Sequence, residues 1–471
     1  MAGKDPLGQV RAAGQQIPGF TPDFQPGPIS QQYDSSHTSR YDRVWKITAD
    51  SLAYHIASWN LPGYVMPEAI ATWPAHGDTM LGEARDLAPF VDVDSNGWYQ
   101  PEMGDYPEIR GESAVFFMAN DERSPQYSGG NPIRLEVQGM VYAFGAKVDT
   151  AFFETVFVHY RLINRNSADL TDTYMGFLTD FDIGNWLDDH VGTDVGRNMA
   201  YGYNGDDVDE TWAGQGSHQV YGQSPPAQGI VFMNRPLTSS LVYAVAEADS
   251  ILGLALGDEL IYNNLQGLWA DGTPMYYGGD GHQGVRPTLH MYDGFPERDL
   301  GWTDVEDPGE RDMVTATGPF TFEAGKAVCI DVAFPFARSE NGDYLESVEI
   351  LRDRVDWLQG IYDIQNFACR PEPEQTSTPP TTSNSELEAT SRFRLHPNPV
   401  TDKAWLYGAD PWKGKVTAIL YDLQGHQLKS WQWAVGQEKH MLDLESLPFG
   451  TYLLQVIQGT DLEAFRLYRH P

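Results

Sequence analysis

The alternation of apolar and polar positions along the chain predicts a fold made mainly of strands. The clearest strand lies at 155–163, where Val156, Val158, Tyr160 and Leu162 occupy one face and Phe157, His159, Arg161 and Ile163 the other. Both faces are partly apolar, which suits a strand near the middle of a sandwich. Similar runs lie at 135–144, 229–233, 241–247 and 327–337. One late helix is expected, because Val348, Leu351, Val355, Leu358 and Tyr362 recur at spacings of three and four while Glu349, Arg352, Arg354 and Asp356 fall on other faces. A shorter helix is expected over 48–58. The 46 Gly and 31 Pro are scattered among short aromatic and β-branched runs, which places long loops between the strands. No internal repeat of solenoid length is visible.

The pattern breaks at 371–391, a Pro/Thr/Ser-rich tract beginning Pro-Glu-Pro-Glu-Gln-Thr-Ser. It holds too little apolar surface to offset chain entropy, so it reads as a flexible or extended linker. Beyond it, at 392–471, a separate strand pattern resumes. Lys415–Tyr421 and Gln427–Trp433 flank Asp422-Leu-Gln-Gly-His426, and Gly450–Ile457 and Leu462–Arg469 flank Gln458-Gly459-Thr460-Asp461, which predicts two hairpins. The expected class is therefore mostly β: a large β-sandwich body at 1–370 with long loops and one late helix, then a small Ig-like antiparallel β-sandwich.

Charge narrows the partners. Lys and Arg number 31 against 66 Asp and Glu in 471 residues, a net charge of −35. Such a field repels phosphate backbones, so nucleic acid and anionic membrane surfaces are poor partners and multivalent cations are natural ones. No apolar run approaches the ~20 residues a membrane helix needs, so no membrane span is expected. The two cysteines, Cys329 and Cys369, allow one disulfide at most and no thiolate metal cage. The opening Met-Ala-Gly-Lys-Asp-Pro-Leu-Gly has no apolar h-region, so no signal peptide is present in this chain.

In the tail, Leu395-His-Pro-Asn-Pro399 is followed by Tyr421-Asp-Leu-Gln-Gly-His-Gln-Leu428, by Leu442-Asp-Leu-Glu-Ser-Leu-Pro-Phe-Gly-Thr-Tyr-Leu-Leu-Gln-Val456, and by the short basic ending Phe465-Arg-Leu-Tyr-Arg-His470. In order and spacing this resembles the type A sorting domain of the type IX secretion pathway across the whole of 392–471. The ending departs from the family's usual lysine-rich terminus. Pro397-Asn-Pro399 is expected to open the first strand, and Gly450 to permit a tight turn. The resemblance implies engagement of the type IX secretion machinery and export across the outer membrane of a Gram-negative cell. Removal of the tail, then attachment to surface lipopolysaccharide or release, would follow. Such proteins first cross the inner membrane, so a leader, and part of a first strand, are expected to be missing from the start of this chain.

Within the body, Asp23-Phe-Gln-Pro-Gly-Pro28, Tyr41-Asp-Arg-Val-Trp-Lys46, Gly104-Asp-Tyr-Pro-Glu-Ile-Arg-Gly111, Thr179-Asp-Phe-Asp-Ile-Gly184 and Tyr262-Asn-Asn-Leu-Gln-Gly267 resemble an uncharacterised family of secreted surface proteins that carry the same tail. That resemblance implies localisation and brings no chemistry.

Chemistry comes from two acidic stretches. The first is Asp92-Val-Asp94-Ser-Asn96-Gly97-Trp98-Tyr99, followed by Glu102 and Asp105. Side-chain oxygens at positions 1, 3 and 5, a Gly at 6 for the sharp bend and a carbonyl at 7, from Trp98, reproduce the start of an EF-hand-like loop for Ca²⁺. Position 12 is Met103, so the remaining ligand must come from Asp105 or Glu102. The competing reading is an Asx-rich turn with solvated carboxylates. In the second stretch Asp180, Asp182, Asp188, Asp189, Asp194, Asp206, Asp207 and Asp209 fall close together with Arg197 as the sole Lys or Arg among them. Read as a loop, it wants a cation or wide solvent exposure, and its hard oxygens suit Ca²⁺ over Zn²⁺.

Other signals are weak. Gly279-x-Gly281-x-x-Gly284 lacks the strand and helix that a dinucleotide site needs. No Gly-x-Ser-x-Gly elbow occurs, and Ser217-His218 adjacency carries little meaning. His282 and His290 lie on a Gly-rich loop without a zinc motif. The aromatics Trp98, Trp186, Trp212, Trp269, Tyr276 and Tyr277 suit either sugar stacking or core filling. The reading is a non-catalytic cell-surface or extracellular-matrix protein, adhesive or structural, with calcium-stabilised loops and with lipopolysaccharide, glycans or sister copies as partners. The alternatives are a carbohydrate-binding protein or calcium-dependent glycan hydrolase, which needs a cleft with two facing carboxyls, and a self-assembling filament or sheath subunit.

Overall fold

The structure is a computed structural model that describes residues 1–14, 23–122, 126, 129–145, 150–211, 220–243, 251–252, 257–304, 308–365, 393–396, 400, 402–408, 415–421, 427–433, 439–447, 450–458 and 461–469. The chain forms two compact units. One consists principally of Met1–Ala146 and Thr150–Gln359, the other principally of Glu374–Pro471.

The first unit is built on two antiparallel sheets. The larger runs in the order Asp189–Asp194, Met199–Asn204, Ala227–Phe232, Ala327–Ala337, Thr155–Asn164, Leu135–Ala143, Ser113–Asn120 and Gln25–Pro26, with Trp45–Thr48 also paired to Ser113–Asn120. The smaller runs Ser239–Tyr243, Asp312–Phe322, Leu170–Asp180, Ala2–Lys4, Val10–Ala12. Val137, Leu162, Phe232, Ile330 and Val332 of the larger sheet share one buried core with Ala2, Leu241, Met313 and Ala316 of the smaller. Phe177 bridges the two, its ring 5.5 Å from Tyr160 and 5.6 Å from Phe232. This is the expected sandwich, with Thr155–Asn164 in the interior of the larger sheet.

The second face of that strand is also covered. His159 Nδ1 lies 2.5 Å from Asp331 Oδ1 on the neighbouring strand, and Arg161 donates to Gln138 Oε1 at 2.9 Å. Segments from the first third of the chain reach this face: Arg110 lies 3.7 Å from Asp331, and Ile29 N donates to Glu136 Oε2 at 3.1 Å. That third holds short helices that the apolar pattern did not predict, Ser35–Tyr41 and Glu68–Ala71, beside the expected one, Ala49–Ser58. Thr48 and Ser51 close a capping box at the start of Ala49–Ser58.

The late helix spans Tyr344–Gln365 and buries Val348, Leu351, Val355 and Leu358. Arg352, assigned by its spacing to another face, is 2% exposed. It pairs with Asp194 and Glu297 and donates to the Tyr201 hydroxyl at 2.8 Å, which offsets its desolvation. A second difference concerns 180–209. The stretch read as a loop contains a hairpin, Asp189–Asp194 with Met199–Asn204, every residue of which is buried. Gly192 makes room for it: a Cβ there would lie 2.4 Å from the Tyr201 ring.

The second unit pairs a three-stranded sheet, Phe393–His396, Lys403–Gly408, Lys439–Asp443, with a four-stranded one, Gln427–Trp433, Val416–Tyr421, Gly450–Gln458, Asp461–Arg469. Both expected hairpins form. Leu406, Val416, Ala418, Leu442, Leu454 and Leu467 meet in one core. The first described strand of this unit, Phe393–His396, pairs with Lys403–Gly408. The residues 397–399 themselves, the turns 422–426 and 459–460 and the linker at 371–391 lie outside the described residues. Cys329 is disulfide-bonded, and Cys369 lies outside the described residues. Among the described residues no helix is long and apolar enough to cross a membrane.

Candidate metal centre

Two short paired strands, Phe90–Val91 and Tyr106–Pro107, bring the ends of the first acidic loop together. Between them Ser95 and Gly97 adopt left-handed conformations, φ 59° and 79°, and fold the chain back on itself. The result gathers Asp92, Asp94 and Asp105, with one carboxylate oxygen from each lying within 4.8 Å of the others. The two candidates for the missing ligand part company here. Asp105 turns inward and is 1% exposed, whereas Glu102 faces solvent.

Backbone donors hold the carboxylates in place. Val93 N and Gln100 N each donate to Asp105 at 2.8 Å. Gly97 N donates to Asp92 Oδ2 at 2.6 Å and Asn96 N to Asp92 Oδ1 at 3.2 Å. The Gly97 amide, with Asn96 and Ser95 adding to it, holds the Asp92 carboxyl below the usual carboxylate range. The Asn96 side chain donates to Asp94 Oδ2 at 2.8 Å and to Gln100 Oε1 at 2.7 Å, and it accepts from Trp98 N at 2.8 Å. Three hard oxygens on a preformed turn suit a divalent cation such as Ca²⁺.

The supports of this loop come from residues that the motif does not contain. Arg85 donates to Gly97 O at 2.7 Å and sits 5.3 Å from the centre of the exposed Trp98 ring. His76 Nε2 accepts from Tyr99 N at 3.0 Å, and its Nδ1 lies 3.3 Å from Asp86. His55 Nε2 meets Asp105 O at 3.0 Å. No local signal in the sequence points to these three, since each lies more than one turn away from the loop.

The second acidic stretch divides into four groups. Asp194 pairs with Arg197 at 2.9 Å and with Arg352. Asp206 and Asp207 accept from backbone amides, Val208 N at 2.8 Å and Tyr344 N at 3.4 Å. Asp180 and Asp182 face each other beside Asp312: burial and then the Asp182 charge push Asp180 up to about 6, and burial followed by Asp180, Glu310 and Asp182 pushes Asp312 up to about 7. Asp188, Asp189 and Asp209 form the last group. Burial drives Asp188 up to about 6 and Asp189 to about 9, with the neighbouring carboxylates adding to it. Asp209 accepts from Asn185 N at 2.9 Å and from Tyr221 N, and fills the space a Gly184 side chain would take.

Residues 394–466 match the family described as the secretion system C-terminal sorting domain. None of the curated proteins matches the chain. Among solved structures, a polysaccharide lyase aligns with 81% of this chain at 8% identity and a TM-score of 0.20; the chain spans 38% of that protein's length, and a likeness of this size says nothing about the body's chemistry. With its two-sheet tail, its Leu395-His-Pro-Asn-Pro399 motif and this family match, the chain is a type IX secretion substrate with a type A sorting tail, one that engages the type IX machinery and is carried to the cell surface or the extracellular space.

Proposed function

We propose that the body is a non-catalytic protein of the outer cell surface or extracellular matrix of a Gram-negative bacterium, adhesive or structural, with acidic loops stiffened by Ca²⁺. The observation that carries this reading is the convergence of Asp92, Asp94 and Asp105 to within 4.8 Å. Three carboxylates at that separation repel one another, and a divalent cation turns the repulsion into attraction. A loop fixed in this way loses less entropy when a partner docks, which favours binding. The charge of −35 opposes contact between bare copies or with anionic lipopolysaccharide, so divalent bridging is the route by which such surfaces, glycans or sister copies would be held.

The test is a thermal melt in EDTA and in millimolar Ca²⁺ at matched ionic strength. A site filled at 100 times its dissociation constant adds about 2.7 kcal/mol, so the transition moves upward with calcium. Identical melting temperatures overturn the calcium reading. Sedimentation and surface-binding assays with and without Ca²⁺ test the associative role, and robust turnover of a polysaccharide, abolished by one Asp or Glu substitution, replaces it with the hydrolase.

A further inference from the structure

Among the described residues Trp98 is the one tryptophan that stands exposed, at 56%. The other aromatics that suit either sugar stacking or core filling sit deeper. Trp269 is buried and donates through Nε1 to Gly281 O at 3.1 Å, and Trp186, Tyr276 and Tyr277 are half-buried. An indole left in water forgoes the burial of a large apolar face, yet this one is fixed by three contacts. Its backbone N donates to Asn96 Oδ1 at 2.8 Å. Arg85 bridges the Gly97 carbonyl, at 2.7 Å, and the centre of the indole, at 5.3 Å. The His76 ring lies 5.1 Å from the indole and is itself held by Tyr99 N, 3.0 Å from its Nε2. The indole N–H meets no acceptor among the described residues.

We propose that Trp98 is the stacking platform of a glycan-binding site that takes an uncharged hexopyranose residue. A pyranose ring turns one face of C–H groups toward an aromatic plane and its hydroxyls outward, so it needs an open ring with a polar rim. Trp98 has both. The Arg85 side chain, 52% exposed beside the ring, offers N–H donors. Asp94 is exposed on the same turn, its carboxylate positioned by the Asn96 amide at 2.8 Å, and offers an acceptor. The free indole N–H supplies one more donor. The exposed carboxylates of Asp94 and Glu102 disfavour anionic lipid headgroups and acidic sugars at this ring and tolerate a neutral one. A ring already held in place loses little freedom when a sugar docks. This deepens the associative reading above, on which it rests, by naming the chemistry of the partner and the side chain that meets it. Val93 and Met103 are also exposed on this loop, which makes insertion into a bilayer the rival for the test to separate.

Affinity electrophoresis of the full chain in Ca²⁺, through gels that hold mannan, galactan or β-glucan, tests the site. At least one of these neutral polysaccharides should retard the wild type. Trp98→Ala should weaken that binding by about tenfold or more, and Trp98→Phe, which keeps a smaller ring, should recover part of it. Because the indole is not a ligand of the ion, Trp98→Ala should keep the wild-type melting temperatures both in EDTA and in Ca²⁺. No retardation in any of the three gels, or equal retardation of the wild type and Trp98→Ala, overturns the inference. Loss of binding together with a fallen melting temperature in EDTA makes the ring a support of the fold and overturns it too. Vesicles of phosphatidylcholine and phosphatidylglycerol form the last arm: binding to them that Trp98→Ala abolishes, with glycan retardation untouched, hands the ring to a membrane. A calcium-induced rise in melting temperature without retardation leaves the ion reading standing and the sugar site fallen, and retardation without that rise does the reverse.

Discussion

Asp105 and Asp94 play unequal parts in the first loop, and the difference decides which substitution is informative. Asp105 is buried and accepts from Val93 N and Gln100 N, so its loss unties the turn whether or not an ion binds. Asp94 is exposed and, among the described residues, takes its donors from Asn96. Asp94→Ala should therefore leave the EDTA melting temperature nearly unchanged while removing part of the calcium-induced rise. An equal loss in both conditions would mean that Asp94 acts through the turn. Asp121 offers a separate test, of pH. It is 0% exposed and accepts from Ile133 N and Leu135 N at 2.6 Å each, yet burial outweighs these donors and pushes it up to about 7 from 3.8. With the folded value above the unfolded one, the folded state holds a proton that the unfolded state has released. The contribution is complete below about 3.8 and is lost as pH rises through about 7. Urea unfolding in EDTA should show stability falling between about pH 4 and 6, below the range where the buried Met1 amine beside Asp121 titrates in the opposite sense, by an amount on the order of a few kcal/mol. Asp121→Asn should flatten that fall, and an unchanged slope would assign it to Asp180, Asp312 and their neighbours.

At the scale of elements, what the sequence made legible followed from how local each element's partners are. Thr155–Asn164 and Ala327–Ala337 are readable because their own alternating residues decide which face meets the core. The late helix is readable because Val348, Leu351, Val355 and Leu358 define its stripe without outside help. Asp189–Asp194 is not, since Asp-His-Val-Gly-Thr-Asp is polar and its burial depends on remote groups. Arg352 meets Asp194, while Asp304 receives Val191 N at 3.2 Å and lies 3.5 Å from His190. The candidate site divides in the same way. The Asp92, Asp94, Asn96, Gly97 spacing is local and visible, whereas His55, His76 and Arg85 come from distant segments. Gly192 links hairpin and helix: its absent side chain leaves room for the Tyr201 ring, and Tyr201 in turn accepts from Arg352. Gly192→Ala should cost about 1–3 kcal/mol through overpacking, read as a lower urea midpoint. A fully wild-type midpoint would show that the ring moves freely and that the Arg352 ion pair does not depend on its position.

At the scale of the whole molecule the two units carry separate tasks, and the tail's task depends on its own core. Leu454 is 0% exposed within Gly450–Gln458, between Val416–Tyr421 and Asp461–Arg469, and shares its core with Leu406, Leu442 and Leu467. Arg469, in the short basic ending, reaches back to Asp402 at 2.8 Å and to the Leu447 carbonyl. Arg469, at the end of the last strand, is thus tied into the sandwich. Residues 392–471 fused to a periplasm-targeted reporter should carry it outside a type IX-competent cell, and limited proteolysis of the whole chain should cut within 371–391 and release two folded pieces. Leu454→Asp places an unpaired charge in the tail core, a change that costs several kcal/mol on the scale of buried charges. If the machinery reads the folded sandwich, that fusion stays in the periplasm while the reporter itself remains active. Export of the Leu454→Asp fusion at the wild-type level would show that linear motifs suffice, and retention of the unmutated fusion would count against the sorting role of the tail.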